Sequence, residues 1–141
     1  MTIGMTDADC IFCQIAVGAR DSHKVLETDE IVCFMDIFPA SEGHALVIPK
    51  QHCTSVFDIP ERAMEAVTSA VRRVAAALRA ELDPDGMTIT QANGAAAGQT
   101  VMHYHVHLIP RASGERLRLH GTGEGDPARL AEIAAALAAR L

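Results

Sequence analysis

The chain has 141 residues, enough for one domain with a core of its own, and a single domain over residues 1–141 is expected. Its net charge of −6 argues against groove tracking along DNA or RNA, which calls for a basic face. No run of roughly 18 apolar residues is present to span a membrane. Met1–Cys10 also lacks the basic-then-apolar order of a secretory signal, so a cytoplasmic protein is expected.

Residues 10–18, CIFCQIAVG, read as a short opening turn or helix. Val25–Glu27, Ile31–Asp36 and Ala45–Pro49 read as strands of an antiparallel meander, with a turn over Asp36–Gly43. A helix is expected from Pro60 to Leu82. Asp58 would cap it, Pro60 suits its first turn, and Glu61 stands three residues after Asp58 as in a capping box. Met64, Val67, Val71, Val74, Leu78 and Leu82 form its apolar stripe, facing the sheet. Asp83–Gly86 ends it. Met87–Ala92 then reads as a strand, Asn93–Gly98 as a loop of small residues and Val101–Ile109 as a last strand. Glu115–Gly125 is polar and contains glycine, and reads as a mobile loop near the site. Asp126-Pro127 opens a terminal helix with a Leu130, Ile133, Leu137, Leu141 stripe. A subunit contact is a second reading of that stripe.

The last strand carries HYHVHLIP, residues 103–110, with three of the chain's seven histidines alternating. A strand has a side-chain period of two, so the three imidazoles leave one face while Tyr104, Val106 and Leu108 leave the other. Imidazoles this close cannot all be protonated near neutral pH, which points to a reaction site or a metal site. A strand with a merely polar outer face is the bland alternative. Gly98-Gln99-Thr100-Val101 precedes the run: small residues let backbone approach a ligand, and Gln99 and Thr100 add donors. Of the four cysteines, Cys10 and Cys13 form a C-x-x-C pair, and Cys33 and Cys53 complete the set. Disulfides are not expected in a cytoplasmic chain, and Cys33 reads as a small buried hydrophobe. Cys10, Cys13 and His52 offer zinc's preferred ligand types but only three of the four that a structural site needs.

These segments resemble the histidine triad (HIT) family. HYHVHLI matches its His-φ-His-φ-His-φ-φ motif with Tyr104 as a departure, GQTVMHYHVHLIPR its C-terminal signature, and FMDIFPASEGHALVIPKQH its N-terminal half. The resemblance covers about residues 10–111 and leaves 112–141, a loop and a C-terminal helix, outside it. It implies an α+β fold: an antiparallel sheet of about five strands, one main helix and a C-terminal helix, in a homodimer. It implies a nucleotide hydrolase or transferase in which His105 attacks the α-phosphorus of a purine nucleotide derivative, forming a nucleotidyl-histidine intermediate. His107 would bind phosphate or assist the leaving group, and His44 would position the triad. Asp36 would take the ribose hydroxyls and Ile37 would wall the base, with Gln99 and Thr100 at the phosphoryl oxygens. Without the resemblance, Asp36 reads as a turn former and His44 as a polar strand start. Some relatives carry a polar amide eleven residues before the first triad histidine. Ala92 stands there in this chain, and Asn93 is the substitute candidate.

The resemblance also supplies a fourth zinc ligand, giving Cys10, Cys13, His52 and His103 as a structural Zn2+ site. Free thiols and a surface His52 are the alternative. The Ile-Pro-Arg ending, residues 109–111, looks more like the dinucleoside polyphosphate branch than the phosphoramidate branch. Two further readings stand beside the enzyme: a non-catalytic nucleotide-binding or scaffold protein, and a hydrolase with a histidine-held catalytic zinc. His23 and His120 match no motif and read as surface residues, with His120 in a loop that could touch substrate.

Overall fold

The computed structural model describes residues 7–141. In chain order the elements are α1 (Ile11–Ala16), β1 (Lys24–Glu27), β2 (Ile31–Met35), β3 (Ala45–Pro49), α2 (Glu61–Leu82), β4 (Gly86–Thr90), a 3-10 turn (Ala95–Ala97), β5 (Val106–Arg111) and α3 (Pro127–Ala138). The strands form one antiparallel sheet in the order β1-β2-β3-β5-β4. The α+β class, the sheet and both helices are as expected.

The central strands are apolar throughout because both faces of the sheet are covered. Cys33, Met35, Ala45, Val47, Val106 and Leu108 pack towards α2 and α3. Val32, Phe34, Leu46 and Ile48 pack on the opposite face, with Phe12 and Ile15 of α1. Register then places the chemistry: Phe34 lies across from Leu46, and Leu46 across from His107. His107 therefore stands on the α1 face, at the end of an apolar row.

Val67, Val71, Val74 and Leu78 of α2 are buried, but Met64 is 38% exposed. Asp58 does not cap this helix. Its carboxylate accepts the N–H groups of Thr54 (3.0 Å) and Ser55 (2.7 Å), closing the turn before it, and Pro60 sits at the N-cap without a side-chain bond. The Asp126 cap holds, with its carboxylate accepting from Ala128 N–H at 3.2 Å. Gly43 enters β3 with φ +91°, and a Cβ there would stand 2.4 Å from Leu82 Cδ1. A side chain would be strained in that backbone conformation and would collide with the end of α2.

The last strand starts later than its sequence suggests, at Val106 rather than Val101. Segment 101–105 uses its backbone differently: Tyr104 N–H donates to Cys53 O at 2.7 Å, and the carbonyl of His103 accepts from a side chain. His103 and His105 thus precede the ladder, and only His107 lies within it.

Candidate active site

Each triad histidine is oriented through a ring nitrogen, and each by a different partner. His105 Nδ1–H donates to the carbonyl of His103 at 2.7 Å. That bond leaves Nε2 with a free lone pair. His44 Nδ1 accepts from Ala40 N–H at 2.9 Å, so in the neutral ring the proton sits on Nε2. His44 Nε2–H then donates to His107 Nδ1 at 2.9 Å, which places the proton of His107 on Nε2 as a donor. His44 Nε2 also lies 3.5 Å from the Asp36 carboxylate. The polarity of the chain from Ala40 to His107 is therefore fixed from one end.

Burial keeps these rings uncharged. His44 is pushed down to about 4, first by burial and then by the nearby His120, Arg111 and His105. His107 is pushed down to about 3, by burial and then by His105 and His44. Burial also lowers His105, against the opposing pull of the His103 carbonyl. At neutral pH His105 is a neutral imidazole with an exposed Nε2 lone pair, which is what a nucleophile requires.

His105 and His107 line a cavity of about 430 Å³ together with Asp36, Phe34, Leu46 and Thr100. Phe12 packs edge-on against the His105 ring, with centroids 5.1 Å apart. Ile37 stands half-exposed on the rim. The Asp36 carboxylate accepts Phe38 N–H at 2.8 Å, and its pKa is raised because burial outweighs that bond. A cavity with apolar walls and a few convergent polar groups is the usual form of a small-molecule site.

Two residues expected at the ligand have their amides bonded within the protein. Gln99 is buried and spends its amide on backbone: Oε1 accepts Gly94 N–H, and Nε2 donates to the carbonyls of Thr54 and Val101. These bonds hold the 94–101 loop to Thr54. Asn93 Oδ1 accepts from Val56 N–H and from Gln91 Nε2, while its Nδ2 donates to Gln91, so its amide braces the loop as well. The structure also adds a residue that no motif singled out. His120 packs edge-on to His107 with centroids 5.7 Å apart and lines the same cavity. The available signal was its glycine neighbour, Gly121, in a polar segment just after the triad strand.

Cys10, Cys13, His52 and His103 come together, with their ligand atoms within 4.8 Å of one another. His103 Nε2–H donates to Pro49 O at 2.8 Å, which turns the Nδ1 lone pair towards the thiols. The Sγ–Nδ1 separations are 3.4 Å (Cys10 to His103), 3.5 Å (Cys13 to His103) and 3.2 Å (Cys13 to His52). Sulfur and nitrogen ligands of a tetrahedral zinc stand about 3.5 Å apart, so donor types and spacing both fit. Without a metal, burial pushes the Cys13 thiol up to about 11. Asp36, His44 and His107 form a second close group, but the His44–His107 hydrogen bond occupies the two nitrogens that an ion between them would need.

The family model of the HIT domain matches residues 17–114. Protein hit of Bacillus subtilis is 39% identical over 117 residues, covering 83% of this chain and 75% of that one. Adenosine 5'-monophosphoramidase HNT1 of Saccharomyces cerevisiae is 41% identical over 105 residues (74% and 64%). Adenylylsulfatase HINT3 of Arabidopsis thaliana is 36% identical over 118 residues (79% and 60%). Among solved structures, a Hit-like protein from Bartonella henselae superposes with a TM-score of 0.90 at 36% identity, covering 96% of this chain and 98% of that one. A Zn-bound histidine triad family protein from Mycobacterium smegmatis gives 0.82 at 34% identity (94% and 92%).

The depressed histidines make stability depend on pH. In the unfolded chain His44 and His107 take up protons near pH 6.5, but in the fold only near 4 and 3. Between those limits the unfolded state binds more protons, so stability falls as pH falls. The melting temperature, measured by calorimetry with a chelator present, is expected to drop steadily from pH 7 to pH 5, above the carboxylate range. A flat profile over that window would mean that the two rings are not held neutral by the fold.

Proposed function

We propose that this chain, which belongs to the HIT-domain family, cleaves purine nucleotide derivatives at the α-phosphorus with His105 Nε2 as the nucleophile. The observation that carries the reading is the His105 Nδ1–H bond to the His103 carbonyl, which leaves Nε2 free at the cavity wall. In the first step the Nε2–P bond forms and the bond from phosphorus to the leaving group breaks. The electron pair goes to the leaving group, which departs as sulfate or, where it is an amine, takes up a proton from solvent. Water then attacks phosphorus and gives up a proton to solvent, the P–N bond breaks, and the imidazole is restored as a nucleoside monophosphate leaves. Splitting the displacement in two lowers each barrier.

His107, with its proton on Nε2, donates to a phosphoryl oxygen or to the leaving group. His44 is a positioning residue that holds His107 in that tautomer. Asp36 accepts a ribose hydroxyl, Phe34, Leu46 and Ile37 take the base, and Thr100 faces the phosphate. Relatives named as a phosphoramidase and an adenylylsulfatase support hydrolase chemistry with a compact leaving group. They weigh against the dinucleoside polyphosphate preference drawn from Ile-Pro-Arg. Exposed Val56, Phe57 and Met64, with Ile89 on edge strand β4, support a homodimer. Among the described residues, no helix is long and apolar enough to cross a membrane.

Zinc at Cys10, Cys13, His52 and His103 would be structural. Four protein ligands leave no place for water, and the ion would tie α1 to the segment that carries His105. The Zn-bound Mycobacterium smegmatis relative supports this assignment.

Two experiments test these assignments. His105→Ala is expected to lower AMP release from adenosine phosphoramidate or adenylyl sulfate by about 10³-fold or more, with AMP affinity nearly unchanged. Near-normal turnover would refute the nucleophile, and a wild-type protein that binds AMP but cleaves none of the substrates would favour a binding role. Elemental analysis of purified protein is expected to find about one zinc per chain, lost in Cys10→Ser together with a clear fall in melting temperature. A metal-free wild type with the same melting temperature after zinc addition would refute the site.

A further inference from the structure

The chain beyond β5 returns across the active site. Gly121 N–H donates to Phe38 O at 3.2 Å and Gly125 N–H donates to Ile37 O at 2.8 Å, tying this segment to the turn that carries Asp36. A Cβ at Gly121 would stand 2.3 Å from the carbonyl oxygens of both Phe38 and Pro39, so only glycine allows the approach. The neighbouring His120 is thereby delivered to the site. Its Nε2–H donates to Gly98 O at 3.1 Å, and its ring stands at 82° to that of His107.

His107 and His120 stand between two cavities. The larger, described above, also contains Asp36 and His105. The smaller, about 180 Å³, lies beyond the two rings and is walled by Thr90, Gln91, Ala92 and Gly98, without His105. In a displacement at phosphorus the nucleophile and the departing group lie roughly in line on opposite sides. With His105 entering from the larger cavity, in-line attack would direct the departing group towards the smaller one. We propose, resting on the nucleotide-cleaving reading above, that His120 contacts the departing group there, and that this subsite takes a compact anionic group such as sulfate or phosphate.

Size and chemistry agree. A cavity of 180 Å³ is well below the roughly 300–1,000 Å³ of pockets that enclose drug-sized ligands, so a second nucleoside does not fit within it. The methyl of Ala92 leaves the room that a longer side chain would fill. With Nε2–H bound to Gly98 O, Nδ1 is the nitrogen left for a ligand. Bonding an anion at Nδ1 uses the doubly protonated ring, with one N–H on backbone and the other on the anion. His120 stabilises the charge that the departing group acquires as its bond to phosphorus breaks. It transfers no proton in this step.

The test measures binding, so that it does not depend on turnover. Adenylyl sulfate and AMP are titrated into His105→Ala protein, with and without His120→Ala or His120→Gln. His120 is exposed, and its replacement is not expected to unfold the protein. His120→Ala is expected to weaken adenylyl sulfate by about tenfold or more, the worth of a hydrogen bond to a charged group. AMP, which lacks the departing group, should change by less than about twofold, and Gln should recover part of the loss. In the His105-bearing enzyme, kcat/KM should fall more for adenylyl sulfate than for adenosine phosphoramidate. Equal weakening of both ligands would overturn the proposal in favour of a loop-positioning role. No weakening of either would overturn it outright. A wild type that releases no AMP, with the selective binding loss intact, would refute the cleavage reading while upholding the contact.

Discussion

The hydrogen bond from His105 Nδ1–H to the carbonyl of His103, 2.7 Å long, is the constraint on which the rest of the site depends. It chooses the tautomer, and the tautomer decides whether Nε2 can attack. The carbonyl is held on both sides. The His103 ring is anchored to Pro49 O and faces the cysteines, while Tyr104 N–H is bound to Cys53 O. The cysteine–histidine cluster and His105 are thus joined through one short bonded segment. A zinc at that cluster would act on chemistry by fixing a carbonyl, without touching the substrate.

Alternating histidines divide the work among themselves because their environments differ. His103 turns its lone pair to the thiols, His105 turns Nε2 to the cavity, and His107 receives its orientation from His44 and Ala40. Burying so many imidazoles disfavours their charged forms, and each adds to the pH dependence of folding. The same desolvation keeps His105 unprotonated at neutral pH. On the proposed mechanism, acid lability and nucleophilicity share one cause.

Much of this was legible in the sequence, because periodicity and residue type report burial and chemistry directly. The stripe of α2 came through except at Met64, and the convergence of Cys10, Cys13, His52 and His103 came through only with the fourth ligand that the family resemblance implies. Hydrogen-bond partners did not, since they depend on what folding brings near. Gln99 looks like a ligand donor in sequence, yet its amide is consumed by Gly94, Thr54 and Val101. Asp58 has the spacing of a helix cap but closes the preceding turn instead. Val101–His105 has strand-like alternation but leaves the ladder because Tyr104 bonds to Cys53. His120 lies 13 residues beyond His107 and carries no periodic signal; only the return of the chain over the Asp36 turn brings it in.

The central claim is that phosphorus passes through a covalent bond to His105, and the stereochemical course at phosphorus tests it most directly. Cleavage of a P-chiral thio-substituted AMP derivative in isotopically labelled water would be followed by configurational analysis of the product. Two successive in-line displacements predict net retention. Net inversion would mean that water attacks the substrate directly, and would contradict the account.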